Sequence, residues 1–219
     1  MARATTNGRC CFCDGVFTQV KMKNHLEKCG QEKDSNKKTK KEVFHIIVQG
    51  KYAPDYWMNI EIPIDATLEV LDRFLRNIWL ECCGHLSMFI IDGKRYSVAP
   101  MDDFGDEDMD FKLSDVIKPG IKFEHEYDFG STTHLELKVI SQYSGNVKGK
   151  SVRILARNEP PIYECQTCGK MATQICCECI YSDEGLLCDD CASKHECDED
   201  MLLPVVNSPR VGVCGYTGD

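Results

Sequence analysis

The sequence predicts an α+β protein: a mixed or antiparallel sheet with one main helix packed on it, and small zinc-stabilised modules at both ends. Three observations carry this reading. Residues 43–157 combine strand-like alternation with a single long helical period and contain only two of the 15 cysteines. One Cys/His cluster lies before this stretch, at residues 9–30, and another after it, at 158–200. The later of these segments is too small and polar to bury a core of its own, so metal–ligand bonds would replace the missing hydrophobic burial.

Along the middle segment the elements follow in the order ββαββ(α)ββ. VFHIIVQG, residues 43–50, is β-branched and of strand length. WMNIEIP, residues 57–63, alternates, with Met58, Ile60 and Ile62 on one face. Leu68, Leu71, Phe74, Leu75, Ile78, Trp79 and Cys82 recur at helical spacing, with Asp65 or Thr67 as cap and Gly84 at the end. SMFIID and KRYSVA flank Asp92-Gly93, a hairpin signal. LSDVI is a short helical piece before Pro119-Gly120, and KFEHEYDF and HLELKVI are two more strands. On the first of these, His125 shares a face with Phe123, Tyr127 and Phe129, which places it in the core.

The first cluster reads Cys10-x₂-Cys13-x₁₁-His25-x₃-Cys29. It resembles a ββα zinc finger of the Cys-Cys-His-Cys variety, with a loop one residue shorter than usual. Phe17 takes the position of the core aromatic, and Met22 that of an apolar helix residue. His25 and Cys29, at i and i+4, lie on one helix face, as chelation requires.

In the second cluster, Cys165-x₂-Cys168 and Cys188-x₂-Cys191 are two knuckles separated by 19 residues, a two-knuckle zinc spacing. A further knuckle, Cys176-x₂-Cys179, lies between them, second along the chain, and needs two more ligands. His195 and Cys197 follow directly. Pairing the first with the third and the second with the fourth gives a cross-braced two-zinc module. Cys214 is the alternative to Cys197 in that second set. Three zinc ions are expected in all. A redox dithiol would need a thioredoxin-like βαβ setting, which is missing.

Charge is uneven. Residues 1–42 hold 10 Lys/Arg against 5 Asp/Glu, a net of +5, and the remainder a net of −14. A basic head on an acidic body points to an anionic partner, DNA or RNA, or else to a solvated tether beside a protein-docking finger. Lys21, Lys23 and Lys28 decorate the finger helix, and Lys33, Lys37, Lys38, Lys40 and Lys41 continue into residues 31–42, which read as a basic flexible linker. One finger spans only about three base pairs, too few for independent sequence reading. No apolar run is long enough to span a bilayer. MARATTNGRCCFC lacks the apolar stretch of a secretory signal, so a reducing cytoplasm is expected, where patterned cysteines read as metal ligands.

The middle segment also resembles a known family. Trp57 with Ile60-Glu61-Ile62-Pro63, Ala66-Thr67-Leu68, the helix through Leu71 and Leu75, Gly84-His85-Leu86 with Phe89, Leu113-Ser114-Asp115, Tyr127-Asp128-Phe129-Gly130 and His134 are similar to motifs of the plasmid ORF-three-like family of α+β domains, found in mobile elements among other settings. The resemblance covers residues 43–140. Ser131, Thr133 and Met58 stand where the family usually carries an acidic residue, a tryptophan and an arginine. It implies a fold rather than a reaction.

The expected organisation is a finger at 1–30, the linker at 31–42, the α+β domain at 43–157, the two-zinc module at 158–200 and a tail at 201–219 packing on the body. The expected function is non-enzymatic: binding nucleic acid or protein through zinc modules. The alternative is an enzyme acting on nucleic acid or nucleotides, with His85, Asp128 and His134 lining a site in the α+β domain. The acidic run MDDFGDEDMD, residues 101–110, lacks the ordered spacing of a calcium loop and reads as a solvated loop.

Overall fold

A computed structural model describes residues 6–34, 41–101, 103, 105–147, 149, 151–182 and 184–218. Among these, no helix is long and apolar enough to cross a membrane.

The finger supplies β1 (Asn7–Cys10), β2 (Val16–Thr18) and α1 (Gln19–Asp34). The central domain follows with β3 (Lys41–Gly50), β4 (Trp57–Pro63), α2 (Leu68–Leu75), the hairpin β5 (Ser87–Ile91) and β6 (Lys94–Ser97), α3 (Leu113–Val116), β7 (Lys122–Tyr127), β8 (Thr133–Gly145) and β9 (Arg153–Asn158). Asp92 and Gly93 both take positive φ, 48° and 80°, the backbone a two-residue hairpin turn demands. The nine strands form one sheet in the order β2-β1-β9-β4-β3-β8-β7-β5-β6, with every neighbouring pair antiparallel.

The front face is apolar. Phe44, Ile46, Val48, Met58, Ile60, Ile62, Leu135, Leu137 and Val139 are buried there against Leu68, Leu71 and Leu75 of α2. At about 2 kcal/mol per large side chain, this face is the dominant source of stability. His125 is fully buried in the core and bonds Asp72 of α2 through Nε2 at 2.8 Å. Past Leu75 the helix widens into a π-helical turn, Arg76–Leu80, closed by Glu81 N–H donating to the Arg76 carbonyl at 2.8 Å. Such turns gather at functional sites, and this one delivers Cys82 and Cys83 to the surface.

The back face is mixed. His45 meets Asn59 at 2.8 Å, and Glu61 accepts from Tyr143 Oη at 2.5 Å and Arg153 Nε at 2.6 Å. The finger covers part of it: Cys10, Met22, Leu26 and Cys29 pack with Trp57, Leu155 and Ala156. β1 pairs with β9, so the finger extends the sheet rather than hanging from a tether. The ends of the expected linker belong to α1, which runs to Asp34, and to β3, which starts at Lys41; Lys37, Lys38 and Lys40 lie outside the described residues.

The C-terminal module is a second sheet, order β11-β10-β12, built from β10 (Gln174–Cys176), β11 (Leu186–Leu187) and β12 (Leu202–Pro204), with the short helix α4 (Asp189–Ala192). The tail then runs back over the body. Asn207 and Asn158 bond each other twice, at 2.7 and 3.1 Å, and Ser208 Oγ donates to the Trp79 carbonyl at 2.6 Å.

Candidate metal centres

Within each of three sets of four residues, one ligand atom per residue lies within 4.8 Å of all the others: Cys10/Cys13/His25/Cys29, Cys165/Cys168/Cys188/Cys191 and Cys176/Cys179/His195/Cys197. Each set could hold a metal ion. A tetrahedron with metal–sulfur bonds of about 2.3 Å has sulfur–sulfur edges of about 3.8 Å. The edges here are close to that: Cys168–Cys188 at 3.6 Å, Cys179–Cys197 at 3.5 Å, and Cys13 Sγ–His25 Nε2 at 3.3 Å.

Local backbone chemistry explains why the sulfurs converge. At the first knuckle the Asp14 N–H donates to the Cys10 carbonyl and the Cys10 N–H to the Gly15 carbonyl, both at 2.9 Å. The chain turns there with Asp14 at φ 58°. A Cβ at Gly15 would come within 2.8 Å of the Phe17 ring, which itself stacks on His25 with centroids 4.3 Å apart. Phe17 thus fixes the imidazole plane. In the C-terminal module, Gly169 at φ 75° donates to the Cys165 carbonyl at 2.8 Å and closes that knuckle. Cys188 caps α4, and Cys191 lies one turn on.

Each set mixes raised and lowered thiols. Burial pushes the Cys165 thiol up, but the N–H groups of Cys188, Cys168 and Thr167 outweigh it and bring it down to about 6. Burial likewise opposes the Cys179 and Glu178 N–H groups and the His195 ring at Cys176, which ends at about 7. The neighbouring Cys168 thiol drives Cys191 up to about 12, Cys179 does the same to Cys197, and burial with Cys13 does so to Cys29. In each cluster the sulfurs hydrogen-bond one another and share protons. A divalent cation would displace those protons and neutralise the crowded charge.

Proximity in the C-terminal module follows a cross-braced order: the Cys165/Cys168 knuckle lies with Cys188/Cys191, and the Cys176/Cys179 knuckle with His195 and Cys197. Cys214 is not part of it. That residue stands with Cys82, Cys83 and His85, a fourth group of mutually close ligand atoms. The sequence offers little sign of this group, because Cys82 and Cys83 are adjacent and Cys214 is 131 positions from Cys83.

The constellation His85, Asp128 and His134 forms only in part. His85 Nε2 is 3.5 Å from Asp128 Oδ2. His134 pairs across the sheet with Glu126, while its neighbour Thr133 pairs with Tyr127, so strand alternation sends His134 to the opposite face, where Nδ1 lies 3.3 Å from a Glu126 carboxylate oxygen. His45 and His125 have separate partners, Asn59 and Asp72.

The acidic run is not the solvated loop expected: Asp106 takes both the Nε and Nη2 of Arg95, at 2.7 and 2.5 Å, the Glu107 N–H donates to the Arg95 carbonyl at 2.9 Å, the Met109 carbonyl accepts from the Glu69 N–H at 3.0 Å, and Met109 is buried in the core.

No curated protein matches this chain. A crystal structure of a protein of unknown function from Methanosarcina mazei Go1 is similar over 54% of this chain and 70% of its own, at 18% identity and a TM-score of 0.47. The family model described as plasmid pRiA4b ORF-3-like protein matches residues 42–175, more than half of the chain, starting at β3 and ending within β10. With the sheet and helix of that segment in place, the chain belongs to the plasmid pRiA4b ORF-3-like family.

Proposed function

We propose that this is a zinc-binding, non-enzymatic interaction protein of its mobile-element-associated family, in which zinc holds folded modules on a sheet domain and the basic N-terminal region binds nucleic acid through its phosphates. The observation that carries the metal assignment is the donor chemistry of three complete sets: ten thiols and two imidazoles, each set with four ligand atoms in mutual reach. Thiolate and imidazole in fours suit Zn²⁺, and a full set leaves no corner for a reacting water, which is the mark of a structural site. Thiols kept for metal also fit a reducing compartment such as the cytoplasm.

The partner reading rests on charge and position. Lys21 and Lys28 are exposed on α1. Beside the helix, a groove of about 410 Å³ runs between α1 and the back of the sheet, with Lys23, Asn24, Gln49, Lys122, Glu136 and Lys138 among its lining residues. Lys122 is partly neutralised by Glu136 at 3.1 Å; Lys23 and Lys138 add positive charge to the same wall. A polyanion laid along α1 meets cations and amide groups but no arrangement able to read base edges, so binding should be sequence-independent.

The test is elemental analysis of the intact chain together with DNA and RNA affinity at two salt concentrations. If four lysines contact phosphates, log K falls against log salt with a slope of roughly −3 to −4. Lys21→Gln with Lys28→Gln should flatten that slope equally for all sequences. Failure of the intact protein to bind either polymer at low salt would make the finger a protein-docking module.

A further inference from the structure

We infer a fourth metal centre, formed by Cys82, Cys83, His85 and Cys214, which takes Zn²⁺ at the protein surface and clips the C-terminal tail to the end of the main helix. Its four ligand atoms lie within 4.8 Å of one another. The individual edges are Cys82–Cys83 at 3.6 Å, Cys83–Cys214 at 3.9 Å, Cys83–His85 Nε2 at 3.0 Å and Cys214–His85 Nε2 at 3.2 Å. These two of its three sulfur–sulfur edges bracket the roughly 3.8 Å of a tetrahedral thiolate site. Three thiolates and an imidazole make a closed donor set of the kind that selects zinc over harder cations.

The backbone is shaped to bring these residues together. After the π-helical turn, Gly84 takes φ 79° and its N–H donates to Glu81 Oε1 at 2.6 Å, so the chain doubles back between Cys83 and His85. On the other side Cys214 takes φ 51° and Gly215 φ 67°. A non-glycine residue in the left-handed region persists only where its surroundings hold it, and here the strained residue is the one that presents its sulfur to Cys83 and His85. Adjacent cysteines rarely chelate one ion from regular structure; the turn at Glu81–Gly84 is what lets both sulfurs face the same point.

A second layer of groups supports the ligands. Arg210 is fully buried. Its Nη2 donates to Cys82 Sγ at 3.4 Å and to Asp128 Oδ2 at 2.7 Å, and its Nη1 to the Ser131 carbonyl and Thr133 Oγ1 at 3.1 and 3.0 Å. The guanidinium lies 4.9 Å from the Tyr127 ring centroid, and the His85 ring meets the same tyrosine edge-on at 5.7 Å. A divalent ion with three thiolates and a neutral imidazole carries one net negative charge. The guanidinium at Cys82 offsets it, and Asp128 balances the guanidinium. This is the outer-shell arrangement that orients metal ligands and tunes their charge.

The site differs from the other three in exposure. Cys10, Cys165, Cys188 and Cys176 give those sets buried anchors, whereas Cys83 and Cys214 are exposed and Cys82 and His85 only half-buried. Zinc here should therefore exchange with solvent chelators faster than zinc in the other sets. When it leaves, the clip between the α2 end and the tail opens.

The inference is independent of the three-zinc reading, and the test separates them. Intact protein purified under reducing conditions is compared with Cys214→Ser and Cys83→Ala by elemental analysis. Each variant should contain one zinc fewer than the parent, whatever the parent's total. In the unmodified chain, Cys83 and Cys214 should resist iodoacetamide until a chelator is added, and should be the first thiols released as chelator concentration rises. Cobalt loading should give one fewer set of tetrahedral thiolate bands in Cys214→Ser. Equal zinc content in parent and variants overturns the proposal. So does immediate alkylation of both cysteines in the zinc-loaded parent, or a Cys83–Cys214 disulfide in protein kept reduced.

Discussion

Replacing Cys168 with serine removes one of four cysteine sulfurs from the first set of the C-terminal module and tests what holds that module together. Its own apolar core is small: Cys165, Leu187, Cys188 and Ala192 are buried there, with Cys191 and Leu202 packed against them. Ile175 and Leu203 are also buried. Leu187, Ile175 and Leu203 together give about 6 kcal/mol at about 2 kcal/mol each. A structural zinc contributes roughly 10–16 kcal/mol at neutral pH. The metal term is the larger, and serine's weakly acidic hydroxyl does not replace a thiolate. Cys168→Ser should therefore release zinc from this set and unfold residues 165–204, because β10 and β11 lie between its knuckles. The front-face core of the central sheet makes no use of these cysteines and should persist. Hydrogen exchange on the full chain reads both: protection should vanish at Ile175, Cys176 and Leu187 and remain in β3, β4 and β8. Unchanged protection in the module, with one zinc lost, would refute the claim that metal rather than apolar burial maintains it.

Other perturbations have outcomes set by named contacts. Arg210→Met leaves the Asp128 carboxylate without its buried partner and should cost about 3–5 kcal/mol in urea denaturation; a loss under about 1 kcal/mol would contradict the pairing. Asp72→Ala strands the buried His125 imidazole at a cost of about 1–3 kcal/mol by the same assay. Burial raises the Asp72 carboxyl, but the His125 hydrogen bond and charge outweigh it and hold the group below its ordinary value of 3.8. Its contribution is therefore complete above pH 3.8 and is lost as pH falls through the lower folded value, so the cost of Asp72→Ala should shrink in acid. Gly8→Ala places a Cβ against the Trp57 indole and 2.6 Å from the Arg157 carbonyl, which should loosen the finger from the sheet while leaving its zinc bound; unchanged exchange at the β1–β9 pairing would speak against that.

The fold was legible where one period ruled. WMNIEIP coincides with β4 because its alternation answers to an apolar front face, and the Leu68–Leu75 repeat marks α2 because one stripe is buried. His125 shows its core position by alternation with Phe123 and Tyr127. β9 was hidden for the opposite reason: RILARN carries arginines at both apolar-face and back-face positions, and they are accommodated by Glu61 and the Asn207 carbonyl, partners distant in sequence. The ligand sets with Cys-x₂-Cys spacing can be read locally, since one turn forms each half-site. The Cys82/Cys83/His85/Cys214 group cannot, because its geometry comes from a π-helical turn and a returning tail.

The position of the finger constrains what it can do for the protein. A free ββα finger offers its whole helix to a groove of DNA. Here β1 occupies the open edge of β9, and Met22 and Leu26 face Trp57 and Leu155, so the inner half of α1 is used in packing. Pairing that edge also removes a row of unpaired backbone groups that would otherwise invite strand addition by another chain. A metal ion held by Cys10, Cys13, His25 and Cys29 would thus serve the sheet as well as the finger. What remains for a partner is the outer stripe of α1, with Lys21 and Lys28, and the lysine-lined groove beneath it. That surface is shallow and fixed to a rigid sheet. It suits contact along a phosphate backbone better than insertion of a helix into a groove, because insertion would require α1 to leave the packing that buries Met22.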